Sequence, residues 1–569
     1  MRQLITLAAT VLALAALVPA AAAARPNVVV LMTDDQTLAS MRYMPQTRSL
    51  IGDAGVTFTS EITSYPLCCP SRVTQLTGQY AHNHGILHNA GPFGGFVNFD
   101  HGNDLPSWLQ RAGYRTMHVG RYLNGYGEAS GVPAGWSDWH ATVGRSAFNY
   151  TAWRVNENGV IGSYPAPAGP PEHQTDFLGR RAAELIDEAA PGERPFYLSL
   201  WFSAPHRGGP RDADDPPIVG SPSPAPRHRD AFAGVPMPRP PSFDEASVRD
   251  KPQLVADRPR LTPEVEAAIE ENWRQEIESL LSVDDAVARV IGTLERSGEL
   301  QNTVIIYTSD NGFMHGEHRR EREKVVPYEE SIRTPLLVRG PGIPRGRRDR
   351  RLVANVDVAP TILDAADAVP GRTLDGRSLF PLFADATLQW GRDILLENGH
   401  GANSVGPYRG IRTTRFKYVR HRTTGEYELY DLRNDPYELT NLDGRARYGG
   451  VQARMAARLR RLQRCVGAGC STRPALRLFV RSRPGAGAGR RSCLRGEVRV
   501  RVGGRDRGRV LRADILAGRR RVARIRRPPL VRSLPRSEVR RGRRTLLRLR
   551  AELRDGRLLT LDRRVDGCG

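Results

Sequence analysis

Two pairs of oxygen-donor residues follow two apolar runs. Asn27-Val28-Val29-Val30-Leu31-Met32 leads to Asp34-Asp35, and Thr303-Val304-Ile305-Ile306-Tyr307-Thr308 leads to Asp310-Asn311. Carboxylate and amide oxygens suit a hard divalent cation, Ca²⁺ or Mg²⁺; the plainer reading is that such residues cap strand ends. Between the pairs, Cys68-Cys69-Pro70-Ser71-Arg72-Val73-Thr74-Gln75-Leu76-Thr77-Gly78 places two thiols at a turn leading into a helix. Taken alone, that run reads as two small buried hydrophobes. His206, in Phe202-Ser203-Ala204-Pro205-His206, and Lys324, in Lys324-Val325-Val326-Pro327-Tyr328-Glu329-Glu330-Ser331-Ile332-Arg333, add a titratable ring and a compact cation. The chain has three lysines, Lys251, Lys324 and Lys417, against some eighty arginines.

The elements needed to position these residues are legible. Continuous β-branched apolar runs are the pattern of strands buried on both faces. In open α/β sheets ligands sit outside the carboxyl ends of the strands, where both oxygen-donor pairs fall. Trp273, Ile277, Leu280, Leu281, Val287, Val290, Ile291 and Leu294 recur at helical spacing, and Ser297-Gly298 ends that helix. Residues 205–252 are proline-rich and aperiodic, the pattern of a long irregular excursion. Ile411–Thr414, Phe416–Val419 and Tyr427–Asp431 read as short antiparallel strands, and Val451–Leu462 as a closing helix. From Ala475 onward apolar residues alternate, as in Leu476/Leu478/Val480 and Val498/Val500/Val502. A small β-sandwich fits that pattern, with a disordered arginine-rich tail as the rival.

The C-x-P-S-R run followed by L-T-G resembles the signature of type I sulfatases. In that family the first cysteine, here Cys68, is oxidised to formylglycine (3-oxoalanine) by a formylglycine-generating enzyme and becomes the catalytic nucleophile. One hydroxyl of the hydrated aldehyde attacks sulfur and the other later expels sulfate. The resemblance implies that Asp34, Asp35, Asp310 and Asn311, with the oxidised Cys68, hold Ca²⁺ (Mg²⁺ being the alternative), and that Arg72 orients the formylglycine. It implies that His206, of the A-P-H element, and Lys324, of the K-x-x-x-Y-E-E-S-x-R element, contact the sulfate and the leaving oxygen, and that His318 reaches the substrate. Gly120-Arg121-Tyr122-Leu123-Asn124 is similar to the family's G-K-x-x-N/H element and makes Arg121 and Asn124 substrate-binding. Arginine stands there in place of the usual lysine, keeping the charge and adding a planar fork. Cys68-Cys69-Pro70, Tyr80-Ala81-His82-Asn83-His84 and Tyr122-Leu123-Asn124-Gly125-Tyr126 resemble the N-acetylglucosamine-6-sulfatase branch. The implied fold is α/β: an alkaline-phosphatase-like sulfatase core with a large mixed sheet, a smaller antiparallel C-terminal sheet, then a basic β-sandwich-like module.

The 569 residues carry a net charge of +23, strongly localised. From Ser471 onward there are 31 arginines and no lysine against 8 acidic residues, a surplus that equals the charge of the whole chain. An anionic surface polymer fits that module as a partner, and an arginine-rich surface with no dedicated ligand fits it equally. Nucleic acid is not favoured, because no aromatic-interleaved basic stretch appears. Arg2, the apolar run Leu4–Val18 and the alanine-rich stretch before Arg25 read as a secretory signal, and no other segment is apolar for long enough to span a bilayer. The expected destination is therefore extracytoplasmic. Cys465, Cys470, Cys493 and Cys568 suit two disulfides there, most simply Cys465–Cys470 and Cys493–Cys568. Zinc is disfavoured by the lack of paired C-x-x-C spacing. The expected organisation is 1–24 signal peptide, 25–390 catalytic domain, 391–464 C-terminal subdomain and 465–569 arginine-rich module. The expected activity is hydrolysis of a sulfate ester of a carbohydrate or aryl alcohol. The alternatives are a phosphoester or phosphonate hydrolase of the same superfamily and a catalytically decayed polyanion-binding protein.

Overall fold

The computed structural model describes residues 25–166, 172–212, 215–388, 390–399 and 406–471, followed by the strand segments 477–482, 498–503, 510–517, 520–525, 531–534, 544–553 and 558–566. The expected signal peptide, Cys493 and Cys568 lie outside the described residues. Among the described residues no helix is long and apolar enough to cross a membrane.

A ten-stranded mixed sheet organises the chain. Its strands are β1 (Asn27–Asp34), β2 (Val56–Phe58), β3 (Arg115–Arg121), β4 (Asp138–Thr142), β5 (Trp153–Glu157), β6 (Val160–Tyr164), β7 (Phe196–Pro205), β8 (Thr303–Ser309), β9 (Leu336–Arg339) and β10 (Arg347–Asp349). Their spatial order is β10-β2-β9-β8-β1-β7-β3-β4-β5-β6. The middle five, β8-β1-β7-β3-β4, are mutually parallel. β1, β7 and β8 are buried along their whole length, which explains why their sequences are uninterrupted apolar runs rather than alternating ones. Two apolar clusters are built around this sheet. Val28, Val30 and Met32 contribute to one; Val29 and Leu31, of opposite strand parity, contribute to the other.

Helix α1 (Cys68–Thr77) is buried at every residue, and Gly78 ends it in the left-handed conformation, with φ 63°. The glycine of the L-T-G run is thus a helix stop. Helices α2 (Gln174–Ala189) and α3 (Pro263–Arg296) pack on one another. Thr262 caps α3 by accepting from Val265 N, and Ser297 follows its last turn, as the sequence predicts.

A second sheet is antiparallel, in the order β11 (Ile394–Asn398), β12 (Tyr408–Arg412), β13 (Phe416–His421), β14 (Tyr427–Asp431), with helix α4 (Gly449–Leu462) against it. Sequence reading supplied three of these strands and missed β11. Beyond them lie a three-stranded antiparallel sheet, β15 (Arg477–Ser482), β16 (Val498–Gly503) and β19 (Val531–Leu534), and a four-stranded one, β17 (Val510–Ala517), β18 (Arg520–Ile525), β20 (Arg544–Leu553) and β21 (Leu558–Asp566). Val500, Val502 and Leu534 share one apolar cluster with Ile515, Leu547 and Leu549, joining the two sheets across a common core. This favours the sandwich over the tail. One expected disulfide, Cys465–Cys470, is present, with an S–S distance of 2.04 Å.

Candidate active site

Four adjacent parallel strands deliver the chemistry from their carboxyl ends. Asp310 and Asn311 follow β8, Asp34 ends β1 with Asp35 next, His206 follows β7, and Arg121 ends β3. The register brings these ends together: Thr33 pairs with Ser309, and a register shift between Met32 and Asp34 sets Asp34 opposite Pro205. Gly312 lets the loop after β8 close down, because a Cβ there would sit 2.1 Å from the carbonyl oxygen of Glu330.

Arg72 is fully buried and welds the cluster. It donates from Nη2 to Asp34 Oδ2 at 2.7 Å and from Nε to Asp310 Oδ2 at 2.8 Å, while Nη1 donates to the carbonyls of Arg121 (2.6 Å) and Tyr122 (2.9 Å). Its hydrogen bonds therefore go to the two carboxylates and the β3 end. It acts on Cys68 through Asp34, whose Oδ1 lies 3.5 Å from Cys68 Sγ.

Cys68 occupies the first turn of α1 as a buried free thiol. Lys324 Nζ lies 3.0 Å from Sγ and also bonds Asp35 Oδ1. Burial pushes the Cys68 thiol up to about 12, with Lys324 pulling the other way. The unmodified side chain is therefore a neutral thiol near pH 7 and a weak nucleophile. For Lys324, burial opposes the charge, but Asp35, Cys68 and Asp310 hold its pKa above the ordinary lysine value.

His206 is pushed well below the usual histidine range by burial and by Lys324 and Arg121. Its Nδ1 faces the Arg207 carbonyl at 2.7 Å, which assigns the proton to Nδ1 and leaves Nε2 as an acceptor, 3.8 Å from Asp35 Oδ2. Arg121 lies against Asp34 Oδ2 and stacks on Phe148, 4.5 Å from the ring centroid. Burial lowers its pKa to about 10. Asn124 Oδ1 is buried with no hydrogen-bond partner, and its backbone carbonyl accepts from Phe96 N at 2.7 Å.

The donor set fits a divalent cation. Atoms of Asp34, Cys68 and Asp310 lie within 4.8 Å of one another, as do atoms of Asp34, Asp35 and His206. Asn311 donates through Nδ2 to Asp35 Oδ1 at 2.6 Å, and its Oδ1 is buried without a partner. An orphaned carbonyl oxygen beside three buried carboxylates is the kind of acceptor that a hard cation satisfies.

His318 is placed differently from the others. It is fully buried, its Nδ1 bonds Glu245 Oε2 at 2.7 Å, and its ring packs 4.1 Å from that of Tyr328. Among the described residues no hydrogen bond or ion pair joins it to the Cys68 cluster.

Several supporting residues carry no sequence signal. Tyr150 donates to the His206 carbonyl at 2.6 Å, Asn89 accepts from Cys69 N at 2.9 Å, and Asn355 donates to Ser71 Oγ at 3.0 Å. Val325 has φ 72° with its side chain buried. A β-branched residue there is strained, and the strain sits directly beside Lys324. A cavity of about 320 Å³ near Arg25, Asn27, Arg194 and Glu299 lies at the amino ends of the same strands, away from this cluster.

The mixed sheet and the cluster at its strand ends define an α/β protein with an acidic, metal-competent centre at the carboxyl edge of the sheet. The family model described as "Sulfatase" matches residues 26–368, and one described as "N-sulphoglucosamine sulphohydrolase, C-terminal" matches residues 316–465. The chain is similar to an arylsulfatase of Volvox carteri, with 34% identity over 83% of this chain and 79% of that one. It is also similar to N-acetylglucosamine-6-sulfatase of Homo sapiens, with 34% identity over 80% of this chain and 87% of that one. A solved sulfatase-fold structure, in complex with its substrate D-glucosamine-2-N,6-O-disulfate, superposes with TM-score 0.65 at 25% identity, covering 77% of this chain and 97% of its own. A phosphonate monoester hydrolase of Agrobacterium radiobacter shares the fold, with TM-score 0.57 at 22% identity over 77% of this chain and 95% of its own. The chain belongs to the sulfatase family, with relatives of the N-acetylglucosamine-6-sulfatase type, and is a sulfuric ester hydrolase.

Proposed function

We propose that this protein is a secreted sulfatase that cleaves a sulfate ester of an amino sugar, with formylglycine made from Cys68 as its nucleophile. The observation that carries this reading is the meeting of Cys68, Lys324 and three buried carboxylates at the ends of adjacent parallel strands. Asp34, Asp35, Asp310 and Asn311 would hold a divalent cation, Ca²⁺ or Mg²⁺, which when bound supplies Lewis-acid charge for a sulfate oxygen. The formylglycine, installed by a formylglycine-generating enzyme, would supply a hydroxyl nucleophile in place of the inert thiol.

This chain's own residues do the rest. Lys324 carries protons 3.0 Å from the nucleophile position and is placed to stabilise charge developing on the sulfuryl oxygens and to protonate the departing oxygen. His206, with its proton on Nδ1, presents the Nε2 lone pair to the site. Arg121 offers a planar fork to the sulfate, held over Phe148. Arg72 bridges Asp34 and Asp310 and aims them at one point. The roles of Asn124 and His318 are kept as proposals of the same reading, Asn124 through its unpartnered Oδ1 and His318 through Glu245.

Mass spectrometry of the peptide ending at Arg72 tests the nucleophile. An aldehyde or its hydrate at Cys68 is expected. An unmodified thiol in active protein that prefers a phosphonate monoester would turn the reading toward the phosphonate hydrolases that share this fold.

The remaining parts of the reading are an export signal at 1–24, a catalytic domain at 25–390, a subdomain at 391–464 and a module at 465–569 that binds an anionic surface polymer. Sequencing the amino terminus of exported protein tests the first; Arg25 is the expected new start. The 31 arginines beyond residue 470 support the last, and its binding should fall steeply with salt through counterion release.

A further inference from the structure

Near the site nearly every described arginine is matched. Arg211 pairs with Asp215, Arg229 with Asp212, and Arg258 and Arg320 with Glu323, while Arg319 donates to three backbone carbonyls. Arg207 and Arg322 are different. Among the described residues neither guanidinium has a carboxylate within ion-pair distance or a hydrogen-bond acceptor, and Glu321 attracts Arg322 only from a distance.

The two come from separate segments yet border one point. A Cβ built on Gly220 would lie 3.4 Å from Arg207 Cδ and 3.9 Å from Arg322 Nη1. Glycine at 220 thus leaves open the gap that a side chain would fill. Both residues are exposed, and both are tethered to the catalytic cluster: Arg207 directly follows His206, and Arg322 lies two residues before Lys324. Two like charges held together without an acid repel one another, and an anion between them removes that penalty.

We infer that Arg207 and Arg322 form a second anion subsite beside the position of the scissile sulfate, and that the substrate carries a second anionic group on the same or the adjoining sugar ring. This rests on the sulfatase reading and names two residues that would discriminate substrates with a second anionic group from those without one. Guanidinium planes grip sulfate or carboxylate in two places, so the second group is either a further sulfate or a uronate carboxylate.

Ligand titration of the full chain carrying Cys68→Ala tests this without requiring turnover. The ligands are singly sulfated N-acetylglucosamine, a doubly sulfated glucosamine, and a sulfated glucosamine linked to a uronate. Arg207→Ala with Arg322→Ala should weaken at least one two-anion ligand about tenfold more than the one-anion ligand. Arg207→Lys with Arg322→Lys should recover most of that difference. Which two-anion ligand responds tells sulfate from carboxylate. Equal weakening of all three ligands, or no weakening, overturns the subsite. Failure of the sulfatase reading would show separately, as absence of aryl sulfate hydrolysis by the unaltered chain.

Discussion

Residues 1–470 carry 53 basic and 53 acidic side chains, whereas residues 471–569 carry 31 arginines against 8 acids. In the first region charge is buried and paired: Arg72 with Asp34 and Asp310, Arg392 with Asp357, Lys417 with Glu329 and Glu438. In the second, 23 arginines have no acid of the same region left to match them one to one. Buried ion pairs are costly to desolvate and severe to break, so they fix geometry more than they add stability. Surface charge of one sign instead shapes long-range attraction and leaves the fold to a small apolar core. The contrast teaches where charge acts as architecture and where it acts as a field.

The sharpest break of that contrast lies at Lys324. Lys324→Ala should lower kcat for an aryl sulfate by about 10²–10³-fold, the loss typical of a removed transition-state charge donor, and should lower the melting temperature as well because it leaves Asp35 without its cation. Arg should not substitute fully, because its fork does not replace a compact ammonium between Asp35 and the nucleophile. A steady-state assay of Lys324→Ala and Lys324→Arg checks both, and turnover near the unaltered level would remove Lys324 from the chemistry.

Arg72→Met should act on the fold as well as on the rate. It leaves the buried Asp310 without an ion-pair partner and removes one of the cations on Asp34, at a cost of about 3–5 kcal/mol, read as a lowered denaturant midpoint. Added Ca²⁺ should restore part of that stability by supplying another cation to Asp34 and Asp310. A midpoint insensitive to both the substitution and the metal would contradict the assignment of these carboxylates.

Glu428 gives the pH dependence of paired burial. Burial pushes its carboxyl up, but hydrogen bonds from His421, Tyr430 and Tyr328 and the nearby His421 outweigh this and hold it down at about 2. A depressed carboxylate stabilises the fold above its unfolded pKa of about 4.5 and loses that contribution as pH falls from there toward 2. Glu428→Gln should therefore flatten the loss of stability between about pH 4.5 and pH 2 by roughly 2–3 kcal/mol, measured by denaturant melts across that range. An unchanged slope would assign the acid sensitivity to other pairs.

Much of this was legible beforehand for physical reasons. Strands buried on both faces must be continuously apolar, so β1 and β8 announced themselves and the oxygen donors at their ends with them. Gly78 ends α1 in a left-handed conformation that few other residues tolerate, a stop signal the sequence reading did not use. β11 escaped notice because Ile394–Asn398 is short and runs from apolar to polar, with no alternation to read. Arg72 was expected to reach the nucleophile, yet its bonds go to Asp34 and Asp310, since side-chain direction within a buried helix depends on neighbours brought from β1 and β8. Phe148, Tyr150 and Asn355 reach the site from loops whose sequences have no period, and the strained Val325 is indistinguishable in sequence from any other valine. His318, next to the motif in sequence, sits at φ 51° and bonds Glu245, a partner from a separate segment that the sequence does not reveal.

The smallest expected effect tests the other half of the comparison. β15 and β16 place Arg481 directly across from Arg499, and no acid occurs anywhere in β15, β16 or β19. Like charges facing one another across an antiparallel pair destabilise it, and an opposite pair contributes about 0.2–1 kcal/mol. If charge here acts as a field rather than as architecture, Arg499→Glu should stabilise the sheet by about that amount while weakening retention on a sulfated-polysaccharide resin. Hydrogen exchange of the β16 amides in the full chain reads the first effect, and the salt needed for elution reads the second. Slower exchange together with earlier elution is the signature of a surface that gives up stability for attraction. Faster exchange would mean that Arg499 is paired within the fold, and the two regions would then differ in degree rather than in kind.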